Sequence, residues 1–144
     1  MIFRDWKYED ILPVSRLEEK CFRGERWNFP MFASSFSQPS FAGVIGEEDG
    51  EILSYACLSC AADECDLLTL AVAEKARGKG IGRETLRRAF SKAKARGAEK
   101  MFLEVRKSNR AAIALYQSEG FIRLSERRRY YPDGEDAQVM MREL

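Results

Sequence analysis

The stretch "LLTLAVAEKARGKGIGRETLRRAF", Leu67 to Phe90, limits the possible folds more than any other part of the chain. An apolar run of strand length passes into a loop that holds Gly78, Gly80 and Gly82 with Arg77, Lys79 and Arg83 among them. Beyond it Leu86, Ala89, Phe90 and Ala93 recur at helical spacing, and Gly97 supplies a stop. Strand, glycine-rich elbow and helix together aim backbone N–H groups and the positive end of a helix at an anion, such as a pyrophosphate. The glycines let the backbone approach a phosphate with no Cβ in the way. The spacing excludes two common nucleotide loops. A Walker loop needs Gly-Lys followed by Ser or Thr, whereas Lys79 is followed by Gly80 and Ile81. A dinucleotide fingerprint needs a third glycine where "GKGIGR" has Arg83.

Around this unit the hydrophobic period changes several times. "IFRDW" reads as a short first strand, and a helix follows with Asp10 as its N-cap, Pro13 in its first turn, and Val14, Leu17 and Cys21 along one face. A second short helix starts after Asn28. "FAGVIGE", "ILSYACLSC" and "CDLLTLAVA" are strands, the first two joined by a hairpin at Asp49-Gly50. After the elbow helix comes a buried strand, "KMFLEVR", then a helix capped by Ser108 and ended by Gly120. "FIRLSERRRYY" and "AQVMMREL" close the chain as an antiparallel pair around the turn "PDGED". The expectation is one domain over residues 1–144, an α/β (α+β) fold with a mixed, mostly antiparallel central sheet and helices on both faces.

Composition removes whole classes of function. With 45% hydrophobic and 33% charged residues the chain has the make-up of an ordinary globular protein. It has no apolar run long enough to cross a membrane and no signal-peptide order at its start, so a cytoplasmic location is expected. Lys plus Arg (24) balances Asp plus Glu (23), which argues against a nucleic acid or anionic membrane as partner. With no histidine, every Ser-His or Cys-His nucleophile is excluded. Cys57 and Cys60 have the gap of a zinc ligand pair, but on a strand they face opposite ways and no second pair exists. The four cysteines therefore read as small buried thiols, and no metal is expected.

The order Arg77-x-x-Gly80-x-Gly82 after "LLTLAV" resembles the acetyl-CoA pyrophosphate loop of the GCN5-related N-acetyltransferase (GNAT) superfamily. Downstream, "LEVRKSNRAAIALYQSEGF" followed by "RRRYYPDGEDAQVMMREL" resembles the RimI-type N-terminal protein acetyltransferases nearly position for position, and "EKCFRGERWN" echoes their Phe-then-Trp loop. These enzymes modify the N-terminal alanine of a small-subunit ribosomal protein. One departure is "VAEKAR", which carries Glu74 and Ala76 where the family usually has a proline and an aromatic residue.

The resemblance assigns roles. Acetyl-CoA would be the cosubstrate. Its pyrophosphate would lie on Arg77, Gly78, Lys79, Gly80, Ile81, Gly82 and Arg83, and its pantetheine arm along the backbone of Leu70, Ala71 and Val72, with Asn109 also in contact. Glu104, partly buried between Leu103 and Val105, would be the general base, and Tyr116 the general acid that reprotonates the departing sulfur. Tyr130 and Tyr131 would form a wall of the peptide groove. From the residues alone, Glu104 could equally face solvent or pair with Arg106, Tyr116 could be a core aromatic, and Asn109 could serve helix-start hydrogen bonding. Three successive arginines on a strand alternate faces, which disfavours RNA. An α-amine, with a pKa near 7.7 to 8.0, is roughly a tenth to a fifth neutral at pH 7, against less than about one in a thousand for lysine, so a single carboxylate suits the α-amine better. The alternatives are a GNAT that acetylates a small amine or a lysine side chain, and a CoA-binding module without turnover.

Overall fold

The computed structural model describes residues 1–144. Its strands are β1 (Ile2–Arg4), β2 (Phe41–Glu48), β3 (Glu51–Ala61), β4 (Glu64–Val72), β5 (Lys100–Arg106), β6 (Ile122–Arg127) and β7 (Ala137–Glu143). Its helices are α1 (Ile11–Cys21), α2 (Phe29–Phe36), α3 (Ile81–Ala95) and α4 (Arg110–Ser118). The strands form one sheet in the order β1-β2-β3-β4-β5-β7-β6, antiparallel throughout except where β4 runs parallel to β5. That single parallel pair is the consequence of the strand-elbow-helix unit, since a parallel neighbour needs a crossover and α3 is the crossover.

Strand alternation divides the apolar residues between two cores. On one face Ala56, Leu58, Leu103 and Met140 meet Leu86, Ala89, Phe90 and Ala93 of α3, with Tyr116 of α4. On the other face Ile45, Tyr55, Cys57 and Ala71 meet Ile11 and Val14 of α1 and Phe32 of α2. Trp6 closes this second core by lying across β2 and β3. Its indole N–H lies 3.1 Å from the Val44 carbonyl and 3.2 Å from that of Ala56. Gly43 allows the ring to come so close, because a Cβ there would sit 2.5 Å from the indole nitrogen.

Local signals set most boundaries. Asp49 and Gly50 both have positive φ, as a two-residue hairpin turn requires. The Asn28 side chain accepts from Met31 N at 3.0 Å and caps α2. Four expectations need correction. Asp10 does not cap α1 with its side chain; its carboxylate turns back to accept from Lys7 N at 2.6 Å and from Arg4, and closes a single 3-10 turn before the helix. Asn109, not Ser108, caps α4, accepting from Ala112 N at 3.2 Å. The strand expected to run to Tyr131 stops at Arg127, so Arg128 and Arg129 lie in a turn, the latter with positive φ. Cys60 and Cys65, read as thiols, are directly opposed in the β3–β4 ladder and joined as a disulfide, while Cys21 and Cys57 are free.

Candidate functional site

The site begins where two strands part company. β4 pairs with β5 only from Glu64↔Lys100 to Leu67↔Leu103, although it continues to Val72. At the same place the β3–β4 register shifts, Leu58 opposing Leu67 but Cys57 opposing Thr69, so Leu68 is the extra residue of a β-bulge. The bulge bends β4 away from β5. Because Ala73 N–H bonds to the Leu53 carbonyl, alternation turns Ala71 toward β3 and the peptide groups of Leu70 and Val72 toward the side that β5 has left. A cleft of about 660 Å³ opens between the strands, lined by Leu70, Glu104, Asn109, Tyr116, Tyr130 and Tyr131 among others. Six predicted site residues thus share one cavity; Ala71 and Val72 do not line it.

The elbow lies at the N-terminus of α3. The backbone N–H groups from Gly78 through Arg83 have no acceptor within the protein, and Gly80 holds the left-handed conformation at the helix N-cap with φ of +79°. A run of unpartnered donors at the start of a 15-residue helix is suited to an oxyanion. The basic side chains divide. Arg77 donates Nε to the Val72 carbonyl at 3.1 Å and packs Nη2 against Cys21 Sγ at 3.5 Å. Arg83 is bound to Glu119 at 2.6 Å and Ser118 at 3.0 Å. Lys79 makes no ion pair. Arg77 therefore braces the turn, aided by a 3-10 turn at Glu74–Ala76 whose Ala76 is buried with Leu53 and Ala73.

Glu104 and Tyr116 come from different directions. On β5, Met101, Leu103 and Val105 face the core under α3, which turns Glu104 into the cleft. Its side chain is 34% exposed, a partly buried carboxyl at the cleft wall. Its partner is Arg127, Nε to Oε2 at 2.8 Å, rather than Arg106, and the Tyr130 hydroxyl reaches its other oxygen at 3.4 Å. Tyr116 is 8% exposed and stacked edge-on against Phe121 at 5.6 Å. Burial pushes its phenol up to about 12. The ring is buried, but the hydroxyl makes no hydrogen bond to the protein and is not sealed in the core; it opens onto the cleft that Tyr116 lines. It is a protonated donor aimed at a cavity.

The outer wall is aromatic and ionic. Tyr130 and Tyr131 stack edge-to-face at 5.1 Å, and the Arg106 guanidinium lies 4.1 Å over the Tyr131 ring. Partial burial raises the Tyr131 phenol to about 12. Arg106 also binds Asp133 at 2.7 Å, Glu135 at 3.0 Å and Glu25 at 3.1 Å. It thereby ties the α1–α2 loop to the β6–β7 loop. Asp136 accepts from Arg129 N at 2.9 Å. Each of these acids thus has a partner of its own chain at the surface.

Sequence reasoning missed Glu18. It interrupts the apolar face of α1, is buried, and accepts from Thr69 at 2.7 Å, Trp27 N at 2.9 Å and the Tyr55 hydroxyl. It fastens the Trp27 loop to β4 just beyond the bulge. A glutamate four residues after Val14 in an apolar stripe was the available signal.

The acetyltransferase (GNAT) family profile matches residues 11–121. A curated relative in Escherichia coli strain K12, a ribosomal protein bS18 alanine N-acetyltransferase, is 35% identical over 119 residues, covering 76% of this chain and 80% of its own. The N-alpha-acetyltransferase RimI of Mycobacterium tuberculosis is 36% identical over 140 residues, covering 93% and 87%. The crystal structure of the Escherichia coli ribosomal-protein-S18-alanine N-acetyltransferase superposes with a TM-score of 0.90 at 31% identity over 99% of this chain and 92% of its own. A NatC complex solved with Gag peptide and CoA shares the fold at a TM-score of 0.87 and 18% identity, covering 99% of this chain and 98% of the matched one.

Proposed function

This chain belongs to the acetyltransferase (GNAT) family and is an N-acetyltransferase, and we propose that it moves the acetyl group of acetyl-CoA to the free α-amine of a protein N-terminus. The acceptor suggested by its relatives is the N-terminal alanine of a small-subunit ribosomal protein. The observation that carries the chemistry is the cleft between splayed β4 and β5, which holds a carboxylate and an unpartnered phenol. The donor half is built of main chain. The N–H groups from Gly78 to Arg83 hold the pyrophosphate, and the peptide groups of Leu70 and Val72 hold the pantetheine arm and polarise the thioester carbonyl. Asn109 keeps its amide nitrogen free for the arm while its oxygen caps α4.

In the acceptor half, Tyr130 and Tyr131 flank the peptide. Glu104 takes a proton from the amine, directly or through water, as the nitrogen attacks the thioester carbon. As the C–S bond breaks, Tyr116 gives its proton to the sulfur; with its phenol at about 12 it stays protonated at any ordinary assay pH. An α-amine has a far larger neutral fraction at pH 7 than a lysine, so it asks less of the single carboxylate in the cleft. The test is kcat/KM, by mass spectrometry of the product, for an alanine-first peptide, an N-blocked lysine peptide and a polyamine, with wild type and Glu104→Gln. The alanine peptide should win, and Glu104→Gln should lose ~100 to 10,000-fold in turnover at unchanged CoA affinity. A polyamine or lysine preference overturns the acceptor assignment. Full turnover in Glu104→Gln overturns the base.

A further inference from the structure

The ion pair on Glu104 has no part in the scheme above, yet it occupies one of the two oxygens of the group that receives the proton. Arg127 ends β6 and Glu104 lies on β5, with β7 between them, Glu104 opposite Val139 and Arg127 opposite Ala137. The arginine side chain therefore reaches diagonally over β7, along the floor of the cleft that Val139 also lines. It has no other anion to hold. Glu126 is taken by Arg123 at 2.8 Å and Lys107 at 3.4 Å, and Glu25, Asp133 and Glu135 are taken by Arg106. Nor does any other cation reach Glu104. The Arg127 side chain is 59% exposed, and its guanidinium lies 5.7 Å from the Tyr130 ring centre, a face onto which it can retire.

We propose that Arg127 is a resident counter-ion that occupies the amine position at Glu104, and that the incoming α-ammonium displaces it. This rests on Glu104 being the base. The guanidinium holds Oε2 and the Tyr130 hydroxyl faces Oε1 at 3.4 Å, so an ammonium that settles on Oε2 exchanges one cation for another on that oxygen. The ligand class follows: the displacing group must be cationic and small enough to enter beside Tyr130, as a free N-terminus is and an acylated one is not. Arg127 acts through Glu104 and is a positioning residue, an obstacle that substrate binding removes.

Such an exchange has a salt signature. In wild type one ion pair replaces another, so screening acts on both sides and kcat/KM should vary little with ionic strength. In Arg127→Gln a new pair forms with none lost, and kcat/KM should fall as salt rises. At low salt that variant should exceed wild type by about two- to fivefold, through a lower KM, the scale of an exposed pair. Arg127→Lys, which restores a cation, should return toward wild type. Thermal unfolding and calorimetric CoA affinity, both expected unchanged, show that the variants fold and load. A lower kcat/KM in Arg127→Gln would mean that the guanidinium holds the peptide, and equal salt slopes would mean that no exchange occurs; either overturns the proposal. Glu104→Gln separates the two layers: if it keeps full turnover, base and counter-ion readings both fall, whereas if it is inactive while Arg127→Gln matches wild type, only the counter-ion reading falls.

Discussion

Replacing Tyr116 with phenylalanine should separate chemistry from stability more cleanly than any other change in this protein. A buried tyrosine with a satisfied hydroxyl loses about 0.5–1.5 kcal/mol when truncated to phenylalanine, because a hydrogen bond disappears. The Tyr116 hydroxyl makes no such bond, while the ring contact to Phe121 at 5.6 Å survives in Tyr116→Phe. Unfolding free energy should therefore change by less than about 0.5 kcal/mol. For a chain of this size that is a shift in Tm of no more than about 3 °C. Catalysis should behave otherwise. Loss of the proton donor to sulfur costs ~100 to 10,000-fold, or about 2.7–5.5 kcal/mol of barrier. Single-turnover acetylation of an alanine-first peptide, read by mass spectrometry, avoids thiol dyes that would also titrate the free Cys21. A variant destabilised by more than about 1 kcal/mol but turning over at the wild-type rate would make Tyr116 a core residue and nothing more.

Three further outcomes can be checked. Gly80→Val forces a β-branched residue to φ of +79° and should raise the CoA dissociation constant, whereas Gly97→Val carries comparable strain at φ of +85° beyond the far end of α3 and should not; equal effects on affinity would remove the elbow from the donor site. Arg106→Leu frees Glu25, Asp133 and Glu135 and unties the two loops, so peptide KM should rise several-fold at constant CoA affinity; an unchanged peptide KM would show that the knot does not shape the groove. Tyr116 and Tyr131 both titrate near 12 in the folded chain against 10.0 for the free phenol, so the unfolded state ionises first. Their contribution is intact below pH 10 and is lost as pH rises toward 12, and the denaturant midpoint should drop across that window and recover in part in Tyr116→Phe.

What could be read in advance depended on how local its cause was. The turn at Asp49-Gly50, the Asn28 cap, the Gly97 stop and the apolar face of α3 are each fixed by a few neighbouring residues, and each stands where expected. Glu104 and Tyr116 were legible as candidates through resemblance and fall in one cavity. Pairings set by the sheet were not legible. Cys60 meets Cys65 only because the β3–β4 register opposes them. Arg127 meets Glu104 only because β7 inserts between β5 and β6, and without strand order the nearer Arg106 was the natural partner.

The seam between β4 and β5 bears on how such a protein can vary. What Leu70 and Val72 present to it are peptide groups, and no exchange of side chain deletes an N–H except one to proline. Selection on those positions is thus relieved of recognition and answers to packing: the Ala71 side chain fills the core beneath α1 and α2, and Leu70 packs toward the core beneath α3. On the proposed assignment, the helical side is free to change for a new acceptor loop by loop, while the acyl-donor half depends on main-chain geometry alone.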